Sequence, residues 1–117
     1  LRDFYARLLA VLRRGEVHEG RWHLCECRAA WDDNPTAEQF VVMTWEAGEA
    51  RLLAVANYGP TRGQCYAQVP LGLGGSVILQ DLLSDTRYLR DGGELASKGL
   101  YLDMPPWGHH VFAIERA

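Results

Sequence analysis

The sequence contains no apolar run approaching the roughly 20 residues needed to span a bilayer, and no leader pattern opens it. No membrane partner is therefore expected. There is no excess of basic charge either: 12 Lys and Arg stand against 15 Asp and Glu, a net charge of −3. A nucleic-acid partner, which needs a basic footprint, is thereby excluded. Cysteine is scarce and odd in number, with Cys25, Cys27 and Cys65 only, whereas a secreted disulfide framework more naturally uses an even set. The missing leader and the odd count favour a cytoplasmic setting. Cys25 and Cys27 lie two apart in a strand-like run, face the same way, and read as small apolar filler. There is no internal repeat, low-complexity tract or long run of one charge. Only one segment has a convincing helical period, so a parallel α/β fold, which needs crossover helices, is excluded.

What is present is enough for one domain. The 117 residues are 48% hydrophobic and 23% charged, ordinary values for a globular protein. Residues 1–14 form a helix whose apolar stripe includes Phe4, Tyr5, Leu8, Leu9 and Leu12, the spacing of one helical face. Gly15 is the expected stop. Leu1 is not a start methionine and nothing ahead of it caps the helix, so the chain is expected to open in the middle of an element of something larger. Beyond Gly15 the period is two. Strands are expected over 22–30, 39–46, 51–58, 64–69, 77–83, 88–90, 99–104 and 110–116, with turns every 8–12 residues or so. In the strand over 39–46 both faces are apolar, and Trp45 is expected in the core. The fold class is mainly β: an antiparallel Greek-key β-sandwich of about seven or eight strands preceded by one N-terminal α-helix.

Particular runs then become suggestive. Leu52-Leu53-Ala54-Val55-Ala56-Asn57-Tyr58 before Gly59-Pro60 is similar to an apolar strand ending in Asn in the C-terminal domain of the α-amylase family (glycoside hydrolase family 13). Gln80-Asp81-Leu82-Leu83-Ser84-Asp85 with Tyr88 and Arg90-Asp91-Gly92 resembles a later strand and turn there. Gly99 to Trp107, continuing through Val111-Phe112, resembles its final hairpin. Phe4 to Leu9, with Leu12-Arg13-Arg14, resembles the last helix of the preceding catalytic barrel. The resemblance implies that residues 1–15 belong with a (β/α)8 barrel and residues 16–117 form a C-terminal β-sandwich domain. It implies a parent enzyme acting on α-glucan, with Phe4, Tyr5, Leu8 and Leu12 packed on that barrel. Without the barrel, the same stripe would fold back on the sandwich or pair with a second copy as a homodimer.

No catalytic residue carries over, since the Gly-x-Arg-x-Asp pattern around the family nucleophile is missing. Glycoside hydrolysis needs two carboxylates about 5–9.5 Å apart. Asp32, Asp33, Glu46, Glu49, Asp81, Asp85, Asp91 and Asp103 all stand in or beside turns and read as turn and surface residues. The chain is therefore expected not to be an enzyme by itself. His109 and His110 are adjacent on a strand and face opposite ways, and His23 with Cys25 and Cys27 lacks the spacing of a zinc motif. No metal and no cofactor are expected. The aromatics weigh more: Trp22, Trp31, Trp45, Trp107, Tyr58, Tyr66, Tyr88 and Tyr101 form either a core or a sugar-stacking surface. Trp31, before an acidic loop, and Trp107, after two prolines, are the candidate carbohydrate-binding residues for an α-glucan.

Overall fold

In a computed structural model, residues 2–70, 72 and 74–117 are described, excepting the side chains of Phe4, Tyr5, Glu16 and His18. Helix α1 (Arg2–Leu12) and a short α2 (Gly15–Glu19) lead into β1 (Arg21–Leu24) and β2 (Cys27–Ala29). A 3-10 turn (Pro35–Gln39) precedes β3 (Phe40–Ala47), β4 (Ala50–Asn57), β5 (Gly63–Ala67) and β6 (Ser76–Asp81). Then come β7 (Arg87–Asp91), α3 (Gly92–Ser97), β8 (Leu100–Met104) and β9 (His109–Arg116). All pairings are antiparallel, in a six-stranded sheet ordered β1-β3-β4-β9-β6-β7 and a three-stranded sheet ordered β2-β5-β8. This is the expected mainly-β antiparallel sandwich, with nine strands among the described residues.

The period-two pattern decides which side chains meet between the sheets. Val42, Leu53, Val55, Val77 and Leu79 come from the large sheet; Cys65, Ala67 and Leu102 face them from the small one. Register is pinned where the chain reverses. Ala47 pairs with Ala50, and Gly48 takes φ +61°, the first-position requirement of a II′ hairpin turn. Gly99, at φ +94°, passes so close to the carbonyl of Ala67 that a Cβ would lie 2.6 Å from it.

Several expectations are corrected. The strand over 22–30 is two strands in different sheets: the Cys25 N–H donates to Val42 and the Gln68 N–H to Glu26, so the chain crosses the core at Cys25-Glu26. Gly15 opens a second helical turn instead of ending structure, because glycine is also accepted where helices begin. Asp91-Gly92-Gly93 is not a tight turn: the Asp91 carboxylate accepts from the Gly93 N–H and caps α3, which Leu95 anchors in the core. Trp45 faces away from the inter-sheet core and is half-buried on the outer surface of the large sheet, opposite Trp22. Asp81 is a buried residue and not a surface one.

Candidate functional site

Three regions carry chemistry, beginning with one end of the sandwich. Asn57 closes β4 fully buried, and its side-chain amide donates to the carbonyls of Thr61, Met104 and Pro105 while its oxygen accepts from the Gly59 N–H. One side chain thus ties β4, the loop after it and the β8–β9 loop together. That scaffold presents Tyr58 and Trp107, whose rings meet edge to face with centroids 5.4 Å apart. Trp107 holds φ +62°, uncommon for a bulky residue. Trp31 leaves β2 at the same end, in a turn closed by the Asn34 N–H on its carbonyl. Trp31 and Trp107 are 53% and 57% exposed. They leave strands separated by β5, about 9–10 Å apart by sheet spacing.

The second region is the outer face of the large sheet. Trp22, Leu24 and Val41 lie there 54%, 55% and 40% exposed. Leu52, on the same face, is fully buried where α2 packs on β3 and β4. α1 lies against the β6–β7 connection: Val11 is buried, and the Arg7 guanidinium reaches Asp85 at 2.9 Å. Leu8 is half-buried, and Leu9 and Leu12 remain about half exposed. The Phe4 and Tyr5 side chains, also expected to pack on a barrel, lie outside the described residues.

The third region lies on the open side of the sandwich. There the Asp81 carboxylate, 3% exposed, takes the Nδ1 of His110 at 2.9 Å and the N–H of Leu83 at 2.9 Å. His110 stacks on Phe112, and Tyr88 meets Phe112 edge-on. Reading the acids by their nearness to turns missed this arrangement. The register of β6 against β9 was the signal, and a single sequence does not display it.

The cysteines pack in the core, as expected of Cys25 and Cys27. Cys25 and Cys65 are buried and Cys27 half-buried. Burial, with Cys27 nearby, pushes the Cys25 thiol up to about 11. The Cys65 thiol donates to Cys27 and is raised well above its ordinary value, while Cys27 is lowered by that same hydrogen bond.

No protein-family model and no curated protein sequence matches the chain. Solved structures do. One, assigned as an α-N-acetylgalactosaminidase from Bacillus halodurans C-125, matches 78% of the chain at 11% identity with a TM-score of 0.54. Another, a GH27 β-L-arabinopyranosidase variant from Geobacillus stearothermophilus in complex with arabinose, matches 87% at 17% identity with a TM-score of 0.57. The chain spans 21% of the length of each. These likenesses show a shared fold with a region of two glycosidases. They give no support to the α-amylase family in particular.

Proposed function

We propose that the chain is the non-catalytic β-sandwich module of a glycoside hydrolase, shielding and stabilising a catalytic domain of the same protein. The observation that carries this reading is the outer face of the large sheet, where Trp22, Leu24 and Val41 are exposed on the neighbouring strands β1 and β3. Soluble monomers rarely leave contiguous apolar surface larger than a few hundred Å² uncovered. The match covers 21% of each glycosidase it resembles, and a catalytic domain is the cover that the rest of such a protein would supply. The reaction class rests on those neighbours alone. A (β/α)8 barrel of the α-amylase family and an α-glucan substrate are finer claims that this reading does not require. The alternative, a carbohydrate-binding module using Trp31 and Trp107, draws support from their exposure but not from ring geometry, since the Tyr58 ring stands at 87° to that of Trp107.

The test is the double change Trp22→Lys with Leu24→Lys, made both in this chain and in the full-length protein. In the chain alone the unfolding midpoint should barely move. In the full-length protein the half-life of glycosidase activity at elevated temperature should shorten. A full-length protein that tolerates both charges without loss, or one that cleaves no glycoside, would refute the proposal.

A further inference from the structure

We propose that the open side of the sandwich, where β7 and β8 are the free edges of their sheets, is a binding groove for a single pyranose sugar ring. The site goes beyond the module reading and involves neither Trp31 nor Trp107. Two adjoining cavities, of about 240 and 290 Å³, share Arg90, Leu100 and Tyr101 as lining. Together they reach the size usual for small-molecule sites, about 300–1,000 Å³.

The groove follows from the topology. Six strands face three, so the small sheet leaves part of β9, β6 and β7 uncovered. Residues that the period of two sends inward there, Tyr88 and Arg90 on β7 and His110 on β9, are half-buried or exposed instead of sealed. Tyr101 and Asp103 of β8 form the opposite rim.

The lining alternates rings with hydrogen-bonding groups, the combination that a sugar with one apolar C–H face and several hydroxyls requires. The Arg90 guanidinium lies over Tyr88, 5.3 Å from the ring centre, covering one face of that ring, and one of its nitrogens donates to the Leu89 carbonyl at 2.8 Å. Tyr101 leans on Tyr66 with ring centres 5.3 Å apart, which fixes its plane, and it is close to half exposed. Asp81, buried, holds the Nδ1 side of His110, so the opposite ring nitrogen, Nε2, is turned away from Asp81, and His110 is part of the groove lining. A hydroxyl can meet that nitrogen in either tautomer. Asp103 adds an acceptor, oriented by Arg62 at 2.9 Å and Gln64 at 3.1 Å. Fixed rings and pre-oriented polar groups are what recognition of a polyol demands.

The experiment is an amide-resolved NMR titration of this chain with methyl galactopyranosides, methyl glucopyranosides and arabinose. We expect saturable shifts at Tyr88, Arg90, Tyr101 and His110 for at least one sugar, with a Kd on the order of 1 mM. Tyr101→Ala and Arg90→Ala each remove an exposed side chain, so retained spectral dispersion checks the fold. Each should weaken binding by roughly tenfold or more, while Trp31→Ala and Trp107→Ala leave it unchanged. Shifts centred on Trp31 or Trp107, groove shifts that survive both groove variants, or no shift with any sugar would overturn the proposal. None of those outcomes bears on the module reading, which stands or falls with Trp22 and Leu24.

Discussion

The side-chain amide of Asn57 donates to the carbonyl of Met104 at 3.1 Å, joining the end of β4 in one sheet to the end of β8 in the other. Three of its hydrogen bonds reach loop or strand-end carbonyls. Asn57→Ala should remove these ties across the two sheets and cost on the order of 2–4 kcal/mol. Tyr58→Ala, one residue on and exposed, should cost well under about 1 kcal/mol. Urea unfolding of both variants checks the contrast. Equal midpoints would show that the amide is not the tie.

That junction also shows how much of the fold was legible. A strand ending in Asn-Tyr before Gly-Pro was visible as a pattern, but what the Asn does depends on Met104 and Pro105, far along the chain. Strands announced by alternation, such as β3, β4, β8 and β9, were placed to within a residue or two. Failures cluster where one residue type serves two ends: Gly15 begins a helix, and Asp91 caps one in place of turning the chain. The break at Cys25-Glu26 has no local mark, because a strand that changes sheets keeps its alternation on both sides. Exposure of Trp31 and Trp107 could be read from their turns. The groove beside His110 could not, since it exists only through the pairing of β6 with β9 and the narrowness of the small sheet.

The outer-face position of Trp45 changes what its removal should do. Leu53, sealed between the sheets, should cost about 2–5 kcal/mol as Leu53→Ala. Trp45→Ala should cost less, about 1–2 kcal/mol, because the ring is only partly withdrawn from water. Chemical denaturation of the two variants decides it. A larger loss at Trp45 would mean that the outer face is as tightly covered as the core.

The cysteines predict an alkaline loss of stability. Cys25 is held protonated up to about 11 in the folded chain, whereas an unfolded thiol ionises near 8.5 or so. Between those values the unfolded chain has released a proton that the folded chain retains. Stability should therefore be whole below the unfolded value and fall as pH rises toward about 11. Cys65 acts in the same direction, and Cys27, lowered, opposes it. Cys25→Ala should flatten the decline, as followed by thermal midpoints from pH 8 to 11 or thereabouts. Iodoacetamide on the folded protein should modify Cys27 first, because the thiolate is the reacting form. Modification of Cys25 ahead of Cys27 would contradict the burial that raises it.

The helix gives the last prediction. The sequence suggested that its stripe would seek a barrel, a second copy or the sandwich itself, with pairing favoured over folding back. In the structure α1 is docked on its own sandwich through Val11 and through Arg7, which reaches both Asp3 and Asp85. Exposed ion pairs of this kind contribute little, so the buried Val11 and half-buried Leu8 must supply most of the hold, on the order of 2–4 kcal/mol. A chain beginning at Glu16 should lose about that much stability while keeping most of α2. It should bind a hydrophobic dye more strongly than the intact chain and associate at lower concentration. The intact chain still shows Leu9 and Leu12, so weak dimerisation that vanishes in Leu9→Lys with Leu12→Lys is the expected light-scattering result. If truncation changes neither the unfolding midpoint nor dye binding, and the amides of α1 exchange as freely as those of a tail, then the helix does not pack on the sandwich. The surface that α1 now covers would in that case be open as well, and the cover sought from a catalytic domain would have to be larger than α1 leaves room for.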